Sequence, residues 1–125
     1  MTEKFQKSSS VFWTKHAREK MKFYRLSEAR IKRVLHHPDR VEEGIAPKTM
    51  ATMQKAGSQK HPSEIWVMYQ QTYPLSFLKA KKSFSQSGMR IISTWRYPGQ
   101  SPVGEKIKIP DSVRQDLIAL GIISE

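Results

Sequence analysis

Apolar residues recur along this chain with two different periods. Trp13, Ala17, Met21 and Tyr24 fall at i, i+4, i+8 and i+11, which predicts a helix over about residues 14–24 with one apolar face. Arg18, Lys22 and Arg25 fall on another face. Ser27 is a good N-cap residue, and Glu28 behind it suits the positive end of a helix dipole. Ile31, Val34 and Leu35 then form the apolar stripe of a second helix, with Arg30, Arg33 and His37 opposite. Pro38 closes it, because its ring pushes His37 out of helical geometry. Two or three residues join the helices, so they should pack as a hairpin or bent pair.

From residue 39 the period drops to 2. Residues 40–44 read as a short strand and 48–56 as a weaker one rich in Thr and Met. Gly57-Ser58-Gln59-Lys60-His61-Pro62 is a turn. Residues 65–70 (Ile-Trp-Val-Met-Tyr-Gln) are apolar on both faces and read as a central strand. Residues 71–87 form a long connection containing Pro74 and the basic cluster Lys79, Lys81 and Lys82. Residues 89–97 are a further strand with Met89, Ile91, Ser93, Trp95 and Tyr97 on one face and Arg90, Ile92, Thr94 and Arg96 on the other. Residues 98–104 turn, and residues 106–109 suggest a short edge strand. Asp111 or Ser112 caps a last helix, which carries Val113, Leu117 and Leu120 inward and stops at Gly121. The expected fold is α+β: two N-terminal helices on a curved antiparallel sheet of about four strands, plus a C-terminal helix. With helices on one face, the other sheet face is expected to be free for a ligand.

A chain of 125 residues makes one domain, set at residues 11–125 behind a flexible N-terminus over residues 1–10 that includes Ser8-Ser9-Ser10. The absence of cysteine excludes disulfides, thiolate metal sites and a Cys nucleophile. No apolar run approaches the ~18 residues of a membrane span, and residues 1–10 lack the apolar core of a signal peptide. A cytoplasmic location without membrane contact is therefore expected. Charge changes the picture most. The net charge is +11, from 22 Lys and Arg against 11 Asp and Glu, and it is concentrated in the first hundred residues. Such a field draws polyanions, nucleic acid foremost, with an acidic protein or an anionic membrane surface as the alternative partner.

His16-Ala17-Arg18-Glu19-Lys20-Met21, then Ser27-Glu28, Ile31, Val34-Leu35 and Pro38-Asp39-Arg40-Val41 follow one another at a characteristic spacing. With the strand Arg90-Ile91-Ile92-Ser93-Thr94-Trp95-Arg96-Tyr97-Pro98, they resemble a widespread family of small bacterial and archaeal domains related to the RelE-like ribonuclease toxins. The resemblance spans about residues 13–98. It implies helices first, then a curved antiparallel sheet with an RNA-binding face, and an acidic antitoxin covering that face if the protein is a toxin. Two basic positions of the family's first helix fall here on Lys20 and Tyr24, with Arg25 adjacent and projecting about 100° away.

Metal-independent RNA cleavage needs a proton acceptor, a proton donor and cations for the pentacoordinate phosphate. His16 is the candidate acid–base group, with Arg90 and Arg96 as bidentate phosphate clamps. Lys20, Arg25, Thr94, Tyr97, Lys79, Lys81 and Lys82 complete a candidate nucleic-acid-binding set, and Trp66 or Trp95 would stack a base. Each has a plainer reading. His16 can lock its helix to the sheet through a hydrogen bond, and the tryptophans can be core. His36 and His37 are adjacent, which does not suit a shared metal. No Gly-rich phosphate loop, His-Glu-x-x-His or Gly-x-Ser-x-Gly occurs, so neither cofactor nor metal is expected. Three functions remain open: an RNA-binding domain with endoribonuclease activity of toxin type, a non-catalytic nucleic-acid-binding module, or an interaction domain for an acidic protein.

Overall fold

The computed structural model describes residues 10–72 and 88–124. The chain runs β1 (Ser10–Trp13), α1 (Lys15–Tyr24), α2 (Glu28–His36), β2 (Arg40–Glu43), β3 (Thr49–Gly57), β4 (Pro62–Thr72), β5 (Gly88–Pro98) and α3 (Asp111–Ala119). The strands make one sheet in the order β1-β5-β4-β3-β2. The architecture is α+β, but the sheet has five strands rather than about four. It is also mixed, because β1 pairs parallel to β5, Ser10 opposite Gly88 and Trp13 opposite Ile91. Ser10 therefore belongs to a strand and not to a free N-terminus. The expected 71–87 connection, with Lys79, Lys81 and Lys82, lies outside the described residues apart from Gln71 and Thr72, which end β4.

Thr14 makes the transition from β1 to α1. Its Oγ1 accepts from Ala17 N at 3.1 Å, which caps the helix, and donates to the Ile91 carbonyl at 2.7 Å, which ties that cap to β5. Arg25 ends α1 in the left-handed region (φ 59°), and Leu26 N returns to the Met21 carbonyl at 2.8 Å. Ser27 caps α2 as its sequence position predicts, accepting from Arg30 N at 3.0 Å. The β2–β3 connection starts at Gly44, where an added Cβ would fall 2.1 Å from Thr49 Oγ1, so only glycine fits.

The two sheet faces serve two cores. On one, the α1–α2 hairpin buries Ala17, Met21, Leu26, Ile31 and Val34 against Ile65, Val67 and Ile91. On the other, α3 and the extended segment before it bury Ile107, Val113 and Leu117 against Met53, Trp66, Met68, Ile92 and Trp95. The second face is thus not free for a ligand. Trp66 and Trp95 are both completely buried there, stacked at 6.3 Å with rings 11° apart, and no base can reach them.

Hydrogen bonds to buried indoles hold that cover down. The Trp95 indole N–H donates to the Lys108 carbonyl at 3.1 Å, in the stretch expected as an edge strand, which forms no ladder. Buried Glu64 accepts from the Trp66 indole N–H (2.9 Å), Ser101 N (3.0 Å) and Ser101 Oγ (2.7 Å). Arg40 lies 5.2 Å over the Trp66 ring and donates to the Ser101 and Pro102 carbonyls. A carboxylate buried this way is tolerated because all its bonds are made.

One irregularity in β5 governs where its side chains point. Met68 opposes Ser93 but Tyr69 opposes Ile91, so Ile92 is an extra, unopposed residue. Alternation is in phase on either side of this bulge but reversed across it.

Candidate nucleic-acid interface

β1 covers the edge of β5 only as far as Ile91, and α1 lies along the edge beyond it. Ala17 and Met21 consequently enter the hairpin core, while His16 and Lys20 turn toward α3. The His16 Nε2 lies 2.9 Å from Ser93 Oγ, and its Nδ1 lies 4.0 Å from Asp116 Oδ2 on α3. Lys20 Nζ sits 2.8 Å from that same carboxylate oxygen. Burial pushes the imidazole below its ordinary value and Lys20 adds to the push, while Asp116 and Glu19 oppose it. The Lys20 hydrogen bond in turn holds the Asp116 carboxyl below the usual carboxylate range.

Ser93, His16 and Asp116 are the residue types of a hydrolase triad, but the geometry is not that of one. Ser93 has no exposed surface, so no substrate meets its hydroxyl. At 4.0 Å the Nδ1–carboxylate separation exceeds a hydrogen bond, and Lys20 already occupies the oxygen. The group clamps α1 to β5 and α3, which is the plainer of the two roles open to His16 from the sequence.

The expected catalytic trio is not brought together. Arg90 opposes Gln70, which shares its face with Met68 and Trp66, whereas Arg96 opposes Ile65 of the hairpin core. The bulge at Ile92 therefore sends the two guanidinium groups to opposite sides of the sheet. Six residues of strand, about 20 Å, also separate them. Ser93, which holds His16, faces away from Arg96 as well. Thr94, expected at the RNA surface, is fully buried and donates to the Trp66 carbonyl at 2.6 Å. Tyr97 is half-buried against the α3-side core. Lys20 is held in its ion pair, and Arg25 is exposed at the C-cap of α1.

A different cationic group forms at the hairpin side. Gln54, Ile65 and Arg96 make one cross-strand row under α2. Arg30 reaches down from α2 to donate to Gln54 Oε1, and the Gln54 amide donates to the His37 carbonyl at 3.0 Å. Arg96 Nε donates to the Tyr24 carbonyl at 3.0 Å, at the negative end of α1. Arg30 loses proton affinity first through burial and then through its like-charged neighbours Arg33 and Arg96. Among the described residues, no carboxylate forms an ion pair with Arg30, Arg33 or Arg96. Arg30 thus has two like-charged neighbours and no carboxylate partner among the described residues.

Sequence reading placed Arg30 and Arg33 on the polar face of their helix but gave them no role. The i, i+3 pair was visible. What was not visible was that Arg96 would join it, since that depends on the phase reversal in β5. A groove of about 1120 Å³ lies elsewhere, between Ile45, Ile107 and Ile122, rimmed by Glu42, Glu43 and Glu105, and none of the three arginines lines it.

Among the described residues, no group of three His, Cys, Asp or Glu side chains is placed to hold a metal ion, and no helix is long and apolar enough to cross a membrane. No protein-family model, curated protein or solved structure matches the chain.

Proposed function

We propose that this chain binds RNA by seating backbone phosphates against Arg30, Arg33 and Arg96. The observation that carries the reading is that Arg30 is bonded to, and Arg96 belongs to, one cross-strand row, with Arg33 a further cation beside Arg30 and no carboxylate partner among the described residues, in a chain of net charge +11. Arg30 and Arg96 are each fixed by one hydrogen bond to the protein, which leaves forked N–H pairs for a ligand at little cost in ordering. The resemblance to RelE-like domains favours RNA over DNA. The binding is proposed without a cleavage step at His16, whose ring is buried and bonded to Ser93 on the side of the sheet away from Arg96.

The test is a salt titration of affinity for a labelled RNA oligonucleotide, run on the wild type, on R30A, R33A and R96A, and on the triple variant. For a single strand, log K should fall with log salt by roughly 0.7 for each phosphate neutralised, and each variant should lower that slope by about one contact. A salt-independent affinity, or a triple variant that binds as the wild type does, refutes the reading. Displacement of RNA by an acidic polypeptide is expected, since both compete for the same cations; tight binding of that polypeptide with no RNA binding would refute it in favour of a protein partner.

A further inference from the structure

Phe23 is the most exposed aromatic side chain among the described residues, with 68% of its surface open. A single exposed apolar residue needs no explanation by itself. This one is held in place on two sides. The Tyr24 ring packs against it edge to face, with centroids 4.8 Å apart and planes 86° apart. Lys20 Nζ lies 5.3 Å over the ring, and that ammonium group is itself anchored by Asp116 at 2.8 Å. Tyr24 is fixed in turn, because its ring packs against both cores and its carbonyl accepts from Arg96. The exposed ring is thus braced by the Tyr24 ring and by the Lys20 ammonium group. Lys22 and Arg25 flank it in sequence and are exposed.

We infer that Phe23 is a stacking platform for an unpaired base, which makes the preferred ligand single-stranded RNA rather than duplex. The inference rests on the RNA-binding reading above and adds the class of RNA to it. Bases in a duplex keep their faces covered by stacking, so only a splayed-out base presents a face to Phe23. Lys22 and Arg25, exposed next to Phe23 in sequence, supply cations for the phosphates that flank that base. Lys20 beneath the ring adds cation–π attraction and a further positive charge near the strand. Because the ring already contacts Tyr24 and Lys20, stacking costs little side-chain entropy.

The experiment compares wild type, F23A and F23W by fluorescence anisotropy with three probes: a single-stranded RNA oligonucleotide, a blunt RNA duplex of the same length, and a synthetic polyglutamate peptide. F23A should weaken single-strand binding roughly five- to 150-fold, the range seen for loss of one base–aromatic stack. It should leave duplex affinity and the salt slope unchanged, and F23W should restore or exceed wild-type single-strand affinity. Since Phe23 is exposed, F23A should also melt at the wild-type temperature. Equal single-strand affinity in F23A and wild type overturns the inference while leaving the arginine reading intact. Polyglutamate binding that depends on Phe23, with RNA binding that does not, overturns it in favour of a protein-docking role. Failure of the wild type to bind any RNA would instead sink the arginine reading itself.

Discussion

Replacing His16 with alanine separates a structural imidazole from a catalytic one. The side chain is 7% exposed, so its removal gives up packing worth about 1–2 kcal/mol. It also leaves the Ser93 hydroxyl, which has no exposed surface, without its 2.9 Å partner, at a cost of about 1–3 kcal/mol. The sum is about 2–5 kcal/mol. In a domain of this size each kcal/mol moves Tm by roughly 3–5 °C, so H16A should melt about 6–25 °C lower. A double-mutant cycle with S93A isolates the hydrogen bond: H16A/S93A should be less destabilised than the two single variants summed, by about 1 kcal/mol. Urea unfolding followed by circular dichroism supplies the free energies, and RNA affinity is measured well below the lower Tm. On this reasoning H16A binds RNA as the wild type does once folded. A variant that melts within about 2 °C of wild type yet loses RNA cleavage or binding would refute it and return His16 to the chemistry.

Three further outcomes follow from the same coordinates. The folded state holds His16 below its ordinary value of 6.5, so the unfolded chain binds more protons between that value and the folded one. Stability should therefore be complete above about pH 6.5 and fall as pH drops through that window, and H16Q, measured by urea titration across pH, should lack this limb. E64Q puts an amide donor where one carboxylate oxygen accepted, against Ser101 N at one oxygen or against the Trp66 indole N–H and Ser101 Oγ at the other, and should cost about 1–3 kcal/mol in urea unfolding; an unchanged midpoint would show the carboxylate is dispensable. Inorganic phosphate should raise Tm in proportion to the logarithm of its concentration once it exceeds its Kd, and R30A/R96A should abolish the increment; an equal increment in the variant would place the anion elsewhere.

Most of the fold was legible from local pattern. The N-cap at Ser27, the helix stop before Pro38, the apolar stripes of α1 and α2 and the strands β3 and β5 lie where period and turn chemistry put them, while β4 runs three residues further at its start and two at its end than its apolar run. The misses share a cause, since each depends on a partner remote in sequence. β1 is four residues long and shows its nature only when docked on β5. α3 has the expected inward residues Val113 and Leu117, but nothing in its own sequence says that it covers Trp66 and Trp95 rather than joining the hairpin. The candidate site failed at a single position. Strict alternation placed Arg90, Ile92, Thr94 and Arg96 on one surface, and one unopposed residue was enough to divide them. His16 reaches the sheet as its plainer reading required, yet the identity of its partner, Ser93, depended on that same bulge.

The pairing of β1 with β5 also bears on the order in which the chain is built. Thr14, which caps α1, hydrogen-bonds to a carbonyl 77 positions later, so the first helix cannot be secured until residue 91 has left the ribosome. The β3–β4 hairpin, by contrast, closes over a four-residue turn and needs only its own neighbourhood. During synthesis α1 therefore waits with Ala17 and Met21 short of their β5 partner, while the middle of the sheet assembles behind it. A ribosome stalled before β5 would present a sticky, strongly cationic nascent chain next to ribosomal RNA.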